Sequence, residues 1–133
     1  MLIPAARLLS RDVWARSQLA DNPRMEAKLV HQHAAIAALC REFGVSRLEV
    51  FGSASNGEFD PASSDYDLIA RFSARPGVSM ARRFFGFSNA LEALLESRVD
   101  LMTDHVIANP YLRAAVDASR AVVYAETPAE ALV

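Results

Sequence analysis

The chain has 133 residues, a single cysteine and a formal net charge of −2. This length supports one domain with one hydrophobic core, and the charge excludes a strongly basic protein that holds nucleic acid through its overall field. The lone Cys40 excludes an internal disulfide and a cysteine-based metal site. We find no apolar segment of transmembrane length and no convincing signal peptide, so we expect a cytoplasmic protein.

The N-terminal part of the chain contains one clear helix signal. Residues 1–22 show no strong hydrophobic period, and we assign them as an N-terminal arm or a short helix. Polar residues followed by Pro23 predict a helix that runs from there to about Phe43 and ends at Gly44. Its predicted apolar stripe is Leu29, Ile36, Leu39, Cys40 and Phe43.

Two strands with a turn between them form the centre of the sequence. Val45–Phe51 is predicted as a strand that leads into Gly52 and Ser53. A polar loop follows, and a second strand is predicted over Asp65–Phe72. Glycine permits close approach of the backbone to a ligand, and the serine at the start of a short helix supplies a hydroxyl and an N–H. This turn is therefore typical of a phosphate-binding site.

Asp65 and Asp67 are unusual because aspartate is depleted from strands. At this spacing both carboxylates point to the same side of the sheet, where they repel each other unless a cation lies between them. Mg²⁺ prefers carboxylate oxygens and bridges to phosphates. An aspartate pair that follows a Gly-Ser turn therefore indicates nucleotidyl transfer. The nearby Asp60 is expected to be a turn residue.

The C-terminal half is predicted to alternate helices and strands. Ser79 is expected to cap a helix that extends to about Ser97, a helix is predicted over 110–119 and a strand over 121–124, and residues 126–133 form a tail. The apolar stripe of the first of these helices is Met80, Phe84, Phe87, Leu91 and Leu94.

A third strand, predicted over Arg98–Thr103, carries Asp100 between two apolar residues. A buried charge at this place is unfavourable without compensation. Its burial would be compensated if Asp100 joined the site of Asp65 and Asp67.

Four polar residues on the predicted helices were considered as further site residues. His31 and His33 are two positions apart and fall on different helix faces, so we expect solvated histidines and no shared metal ion. Arg82 and Arg83 lie near the start of a helix, where they are expected to face either phosphate or solvent.

The segments VFGSASNG, SSDYDLIARF and RVDLMT, in this order, resemble the minimal nucleotidyltransferase (MNT) branch of the polymerase-beta nucleotidyltransferase superfamily. The later segment ANPYLRAAVDASRAVVYA resembles the usual C-terminal part of that fold. The resemblance covers residues 34–125. It implies an α+β fold, in which helices pack against a small mixed sheet, and a domain over residues 23–125.

The resemblance also implies the roles of the carboxylates. Asp65 and Asp67 would bind Mg²⁺, with two ions expected, and Asp100 would complete the metal site. ATP would be the substrate, and Asp100 is the candidate that accepts the proton of the attacking hydroxyl.

The same resemblance assigns the nucleotide-binding residues. Gly52 and Ser53 would hold the triphosphate, and we add Ser64 because it directly precedes the aspartate pair. Many relatives carry an arginine just before the second glycine of the loop, where this chain has Asn56 before Gly57. A phosphate contact at that place is weakened, or another arginine supplies it.

The nucleotidyltransferase core takes up nearly the whole chain, so we expect another molecule to supply the acceptor. The resemblance implies a HEPN-domain toxin, a tyrosine of which receives AMP from this chain acting as the antitoxin. One alternative is a small-molecule nucleotidyltransferase similar to the aminoglycoside-modifying enzymes, for which a homodimer could complete the site. Another is a non-catalytic module that neutralises a toxin by binding alone.

Overall fold

The computed structural model describes residues 24–103 and 108–126 of the chain. Four strands form one sheet: β1 Val45–Phe51, β2 Tyr66–Phe72, β3 Val99–Thr103 and β4 Ala121–Ala125. Five helices accompany them: α1 Ala27–His31, α2 His33–Phe43, α3 Ser53–Asn56, α4 Met80–Leu95 and α5 Pro110–Ser119.

The sheet has the order β3-β2-β1-β4 and mixed strand directions. β1 pairs antiparallel with β2 and with β4, whereas β2 and β3 are parallel and are connected through α4. A parallel pair needs such a crossover, because a short hairpin can join only antiparallel strands. The predicted α+β fold with a small mixed sheet is confirmed.

The two faces of the sheet are covered differently. Alternate strand residues such as Leu48 and Leu68 are fully buried in one cluster with side chains of α2 and α4, including Cys40 and Leu91. The opposite face carries a smaller cluster, in which Ile69 packs against Val116 of α5. Because side chains alternate along a strand, Asp67 lies on the same face as Ile69.

The predicted helix from Pro23 to Phe43 is corrected in two respects. Arg24 and Met25 are not helical, and α1 begins after Glu26, whose carboxylate accepts hydrogen bonds from the N–H groups of the first turn. Gln32, with φ −96° and ψ 15°, then separates α1 from α2. The predicted end is confirmed, since Gly44 adopts the left-handed conformation with φ 72°.

Three further side-chain predictions were wrong. His33 is buried, although His31 is exposed as expected. Met80 is 50% exposed and does not belong to the core stripe of α4. Arg83 faces neither phosphate nor solvent: its guanidinium is buried and donates to the carbonyl oxygens of Phe43, Gly44 and Ser73 at 2.9 Å each.

Within the described ranges, no helix is long and apolar enough to cross a lipid bilayer. The division into an arm over residues 1–22, a domain over 23–125 and a tail over 126–133 stays a prediction. Residues 1–23 and 127–133 lie outside the described residues.

Candidate active site

The Gly52-Ser53 turn connects β1 to the short helix α3. Gly52 has φ 71° and ψ −147°, a backbone conformation that is essentially restricted to glycine. Ser53 is the first residue of α3, so its N–H lies in the first turn, where N–H groups lack an acceptor within the helix. The predicted serine at the start of a short helix is confirmed.

Asp67 lies directly against this turn. The antiparallel register places Asp67 opposite Phe51, the residue before Gly52. A Cβ atom on Gly52 would lie only 2.9 Å from the Asp67 Oδ2 atom. Glycine is thus required here for two reasons, its backbone conformation and the space that the carboxylate occupies.

Asp100 joins Asp67 through the pairing of β2 and β3. The parallel register places the two aspartates side by side, so both side chains leave the same face of the sheet. Asp100 is exposed, which corrects the expectation of a buried charge in this strand. The exposed carboxylate is open to a molecule that approaches this face.

Asp65 directly precedes β2 and forms an ion pair with Arg98, with 3.4 Å between its Oδ1 atom and the arginine Nε atom. The arginine side chain is 83% exposed, so this pair contributes little stability. Arg98 was not predicted as a site residue. The register could have indicated it, because the pairing of Asp67 with Asp100 places Asp65 opposite Arg98.

The electrostatics of the site are centred on Asp67. Burial of this carboxyl raises its pKa from 3.8 to about 6, and the negative charges of Asp100 and then Asp65 add to the effect. Each factor disfavours the ionised carboxylate. A bound cation would relieve the repulsion among the three acids.

Three carboxylates are a donor set that suits Mg²⁺. Within residues 24–103 and 108–126, however, no group of three or more acidic, histidine or cysteine side chains is arranged to hold a metal ion. The ion pair of Asp65 with Arg98 directs one carboxylate to the arginine. The three carboxylates are thus the right type of ligand for Mg²⁺, but they are not arranged around one point. Asp65 would have to leave Arg98 to join Asp67 and Asp100 at a shared ion.

We predict that the metal-free protein loses stability as the pH rises through the pKa of Asp67. A folded-state pKa of about 6, above the ordinary value of 3.8, means that protonated Asp67 stabilises the fold at low pH and that this contribution is lost through about pH 6. In EDTA, the melting temperature of Asp67→Asn minus that of the wild type should increase from about pH 5 to about pH 7.5.

Asp60→Asn is the matched control for this pH dependence. Hydrogen bonds from the Ala62 N–H and the Ser63 hydroxyl lower the pKa of Asp60, so its ionised form stabilises the fold and this contribution is lost as the pH falls. Above about pH 5 Asp60 is ionised in both the folded and the unfolded protein, because its folded-state pKa lies below the ordinary 3.8. The melting-temperature difference for Asp60→Asn should therefore stay nearly constant from about pH 5 to about pH 7.5. A difference for Asp67→Asn that stays constant across this range would contradict the assigned environment of Asp67.

The structure places two other predicted loop residues in local turns. The Ser64 hydroxyl accepts a hydrogen bond from the Asp60 N–H at 2.9 Å, and its role in nucleotide binding stays a prediction. The Asn56 side-chain oxygen accepts one from the Glu58 N–H at 3.0 Å. Asp60 is a turn residue, as predicted.

Three residues that support the site were missed by the sequence analysis. The Glu26 N–H donates to the Ala54 carbonyl oxygen at 2.8 Å, and its carboxylate accepts from the Tyr66 hydroxyl at 2.6 Å. Glu26 thus connects α3 to the strand that carries Asp67. On the other side of the turn, Ser55 and Ser119 form hydrogen bonds that tie α5 to Gly52. Ser55 lies within VFGSASNG and Ser119 within ANPYLRAAVDASRAVVYA, but neither segment indicated these contacts.

A cavity of about 680 Å³ opens at the opposite end of β2 from the aspartates. Its described lining is largely apolar, with two arginines and no carboxylate: Ala70, Arg71, Phe72, Met80, Ala81, Phe84, Phe85, Thr103 and Arg113. A metal-bound triphosphate does not fit this lining, because it needs carboxylate ligands for the ion. The candidate site is therefore the carboxylate cluster beside Gly52.

Comparison with known proteins agrees with this geometry. The sequence profile of the nucleotidyltransferase domain family matches residues 34–122. A solved structure assigned as a minimal nucleotidyltransferase is 33% identical in sequence, with 68% of this chain and 87% of that chain covered and a TM-score of 0.54. No curated protein sequence matches the chain.

Two more distant structures share the fold. A toxin–antitoxin complex with AMP-PNP is 20% identical, covering 75% of this chain and 78% of that chain, with a TM-score of 0.55. A complex of a tri-AMPylated Shewanella oneidensis HEPN toxin with an MNT antitoxin is 18% identical, covering 78% of both chains, with a TM-score of 0.51. At these identities the likeness extends to the fold alone.

Proposed function

This chain belongs to the nucleotidyltransferase domain family, as a minimal nucleotidyltransferase, and we propose that it transfers AMP from ATP to a hydroxyl group. The observation that carries the proposal is the convergence of the Gly52-Ser53 turn, Asp67 and Asp100 at one end of the sheet. A turn that can bind phosphates thus lies beside carboxylates that can bind the metal ion that accompanies the phosphates. We also propose that the reaction takes place in the cytoplasm.

Each part of the site has a separate task in this proposal. The Ser53 N–H and hydroxyl donate to the triphosphate at the start of α3. Asp65, Asp67 and Asp100 would hold Mg²⁺, which when bound neutralises negative charge on the phosphates. Catalysis then depends mainly on positioning and charge neutralisation, which is general for phosphoryl-type transfer.

The bond changes follow from nucleotidyl transfer. The acceptor oxygen forms a bond to the α-phosphorus, the bond from that phosphorus to the bridging oxygen of the β-phosphate breaks, and pyrophosphate leaves. The proton of the acceptor hydroxyl goes to Asp100, whose exposure on the open face places it within reach of an incoming molecule.

We propose a tyrosine of a partner HEPN toxin as the acceptor, with this chain acting as the antitoxin. Support comes from the tri-AMPylated HEPN toxin in complex with an MNT antitoxin, which shares this fold. A tyrosine hydroxyl, with an ordinary pKa near 10, loses its proton far more readily than a sugar hydroxyl. The three retained acids argue against a pure binding module, because such a module gains nothing from their mutual repulsion.

A thermal-shift experiment tests nucleotide binding directly. We expect ATP with Mg²⁺, at about a hundredfold excess over Kd, to raise the melting temperature by roughly 5–10 °C through mass action. Ser53→Ala should remove half or more of this shift, since a hydrogen bond to a charged phosphate is lost.

Ser46→Ala is the matched control, because the Ser46 hydroxyl donates to the Arg71 carbonyl oxygen at the other end of the sheet. This variant should keep the full ATP shift. Equal shifts with Mg²⁺ and with EDTA, or equal shifts in Ser53→Ala and the wild type, would count against the proposed site.

A further inference from the structure

We propose that Ser119, at the end of α5, is a positioning residue that holds the Gly52-Ser53 turn in its nucleotide-binding conformation. The inference rests on the proposed function, and it gives a role to a serine of the C-terminal segment, outside the Gly-Ser turn and the aspartate strands. In this proposal the Gly52 N–H donates a hydrogen bond within the protein. The N–H and hydroxyl of Ser53 remain as the donors for the phosphates.

The hydrogen bonds between α5 and the turn carry the inference. The Ser119 hydroxyl accepts from the Gly52 N–H at 3.0 Å and lies 3.3 Å from the Ala115 carbonyl oxygen, to which it donates. The buried Ser55 hydroxyl lies 2.6 Å from the Ser119 carbonyl oxygen and 2.9 Å from the Gly52 carbonyl oxygen. Its single proton can serve only one of the two acceptors at a time, but the Gly52 carbonyl oxygen also accepts from the Ser55 N–H at 3.0 Å. Both polar groups of Gly52 are therefore engaged.

An ion pair fixes the end of α5 in this place. The next residue, Arg120, donates from two nitrogens to the two carboxylate oxygens of Glu49 on β1, at 3.1 Å and 2.8 Å. The side chains are only 20% and 11% exposed, so this bidentate pair is well shielded from water. Arg120 also pairs with Asp117 at 2.8 Å. Ser119 is therefore held against Gly52 from the same strand that leads into the turn.

This contact should affect binding of the nucleotide more than the chemical step. Gly52 has an unusual backbone conformation, which persists only when its surroundings determine it. Loss of the Ser119 hydroxyl leaves the Gly52 N–H without its acceptor and allows the turn to sample other conformations. The Ser53 donors would then be in place for only a fraction of the time, and the apparent affinity falls by that fraction. Asp67 and Asp100 belong to other strands and keep their register.

The experiment compares Ser119→Ala with the wild type by isothermal titration of an ATP analogue that has a methylene group between the α- and β-phosphorus, in the presence of Mg²⁺. We expect Kd to rise roughly three- to tenfold, the effect of one lost hydrogen bond. In transfer assays KM for ATP should rise similarly, whereas kcat should change by less than about twofold. Ser119→Thr keeps the hydroxyl and should restore most of the affinity.

Ser73→Ala is the matched control, because the half-buried Ser73 hydroxyl donates to the Gly44 carbonyl oxygen at 2.9 Å, at the far end of the sheet. Ser73→Ala should lower the melting temperature about as much as Ser119→Ala does, because each variant loses one serine hydroxyl that forms hydrogen bonds. Its Kd for the analogue should equal that of the wild type. If Ser119→Ala binds the analogue as Ser73→Ala does, the positioning role is wrong although the proposed function stands. Tighter binding by Ser119→Ala would mean that the Gly52 N–H itself serves the phosphate, which also overturns the inference. A wild type that binds no nucleotide overturns both proposals.

Discussion

Asp67→Asn is expected to reduce nucleotidyl transfer by about 10³-fold or more while the protein stays folded. Asp67 combines partial burial with the pairing to Asp100, and among the described carboxylates only Asp67 comes within 4 Å of the place that a Cβ on Gly52 would occupy. The amide keeps the shape of the side chain and removes the charge that a cation requires. Pyrophosphate release with ATP, Mg²⁺ and an acceptor measures the loss.

The fold should tolerate this change, because removal of one negative charge reduces repulsion within the cluster. In EDTA and near neutral pH, the melting temperature of Asp67→Asn should equal or slightly exceed that of the wild type. Asp65→Asn should also abolish transfer. Asp60→Asn is the control, since Asp60 is an exposed turn residue and its substitution should leave transfer unchanged. Transfer by Asp67→Asn at a near wild-type rate would show that the metal site is assigned wrongly.

The centre of the site could be predicted because its residues conflict with ordinary local structure. Aspartates at positions 65 and 67 are disfavoured in a strand. Glycine followed by serine at the end of the preceding strand predicts a turn that can bind phosphate. The strand over Val45–Phe51, the cap at Ser79 and the helix over Pro110–Ser119 all have local signals, and each lies where it was predicted. Local patterns thus determined most of the element order.

The supporting contacts could not be predicted because they join residues that are far apart in the sequence. Ser119 meets Gly52 across 67 positions, and Glu26 meets Tyr66 across 40. A serine or glutamate at such a place has no periodicity that distinguishes it from a solvated residue. The error on Arg83 has the same origin: the carbonyl groups that draw its guanidinium inward belong to Phe43, Gly44 and Ser73, which its own helix does not contain.

The largest expected effect on another molecule is the modification of a partner toxin. When this chain is mixed with a HEPN-domain toxin, ATP and Mg²⁺, we expect the toxin to gain the mass of one or more AMP groups on tyrosine. The reason is the open face of the site, where the exposed Asp100 can take the proton of an incoming phenol. Intact-mass spectrometry of the toxin, followed by peptide mapping, measures the number and position of the additions.

The matched control is the same mixture with Asp67→Asn, which should bind the toxin without adding mass, because the substitution is confined to the metal site. A tight, neutralising complex of the wild type with an unmodified toxin would favour the binding module and contradict transfer to protein. If no toxin binds, and a small hydroxylated compound consumes ATP and releases pyrophosphate, the small-molecule nucleotidyltransferase is correct. In that case the Asp67→Asn variant should lose this reaction as well, since all hydroxyl acceptors depend on the same carboxylates for transfer from ATP.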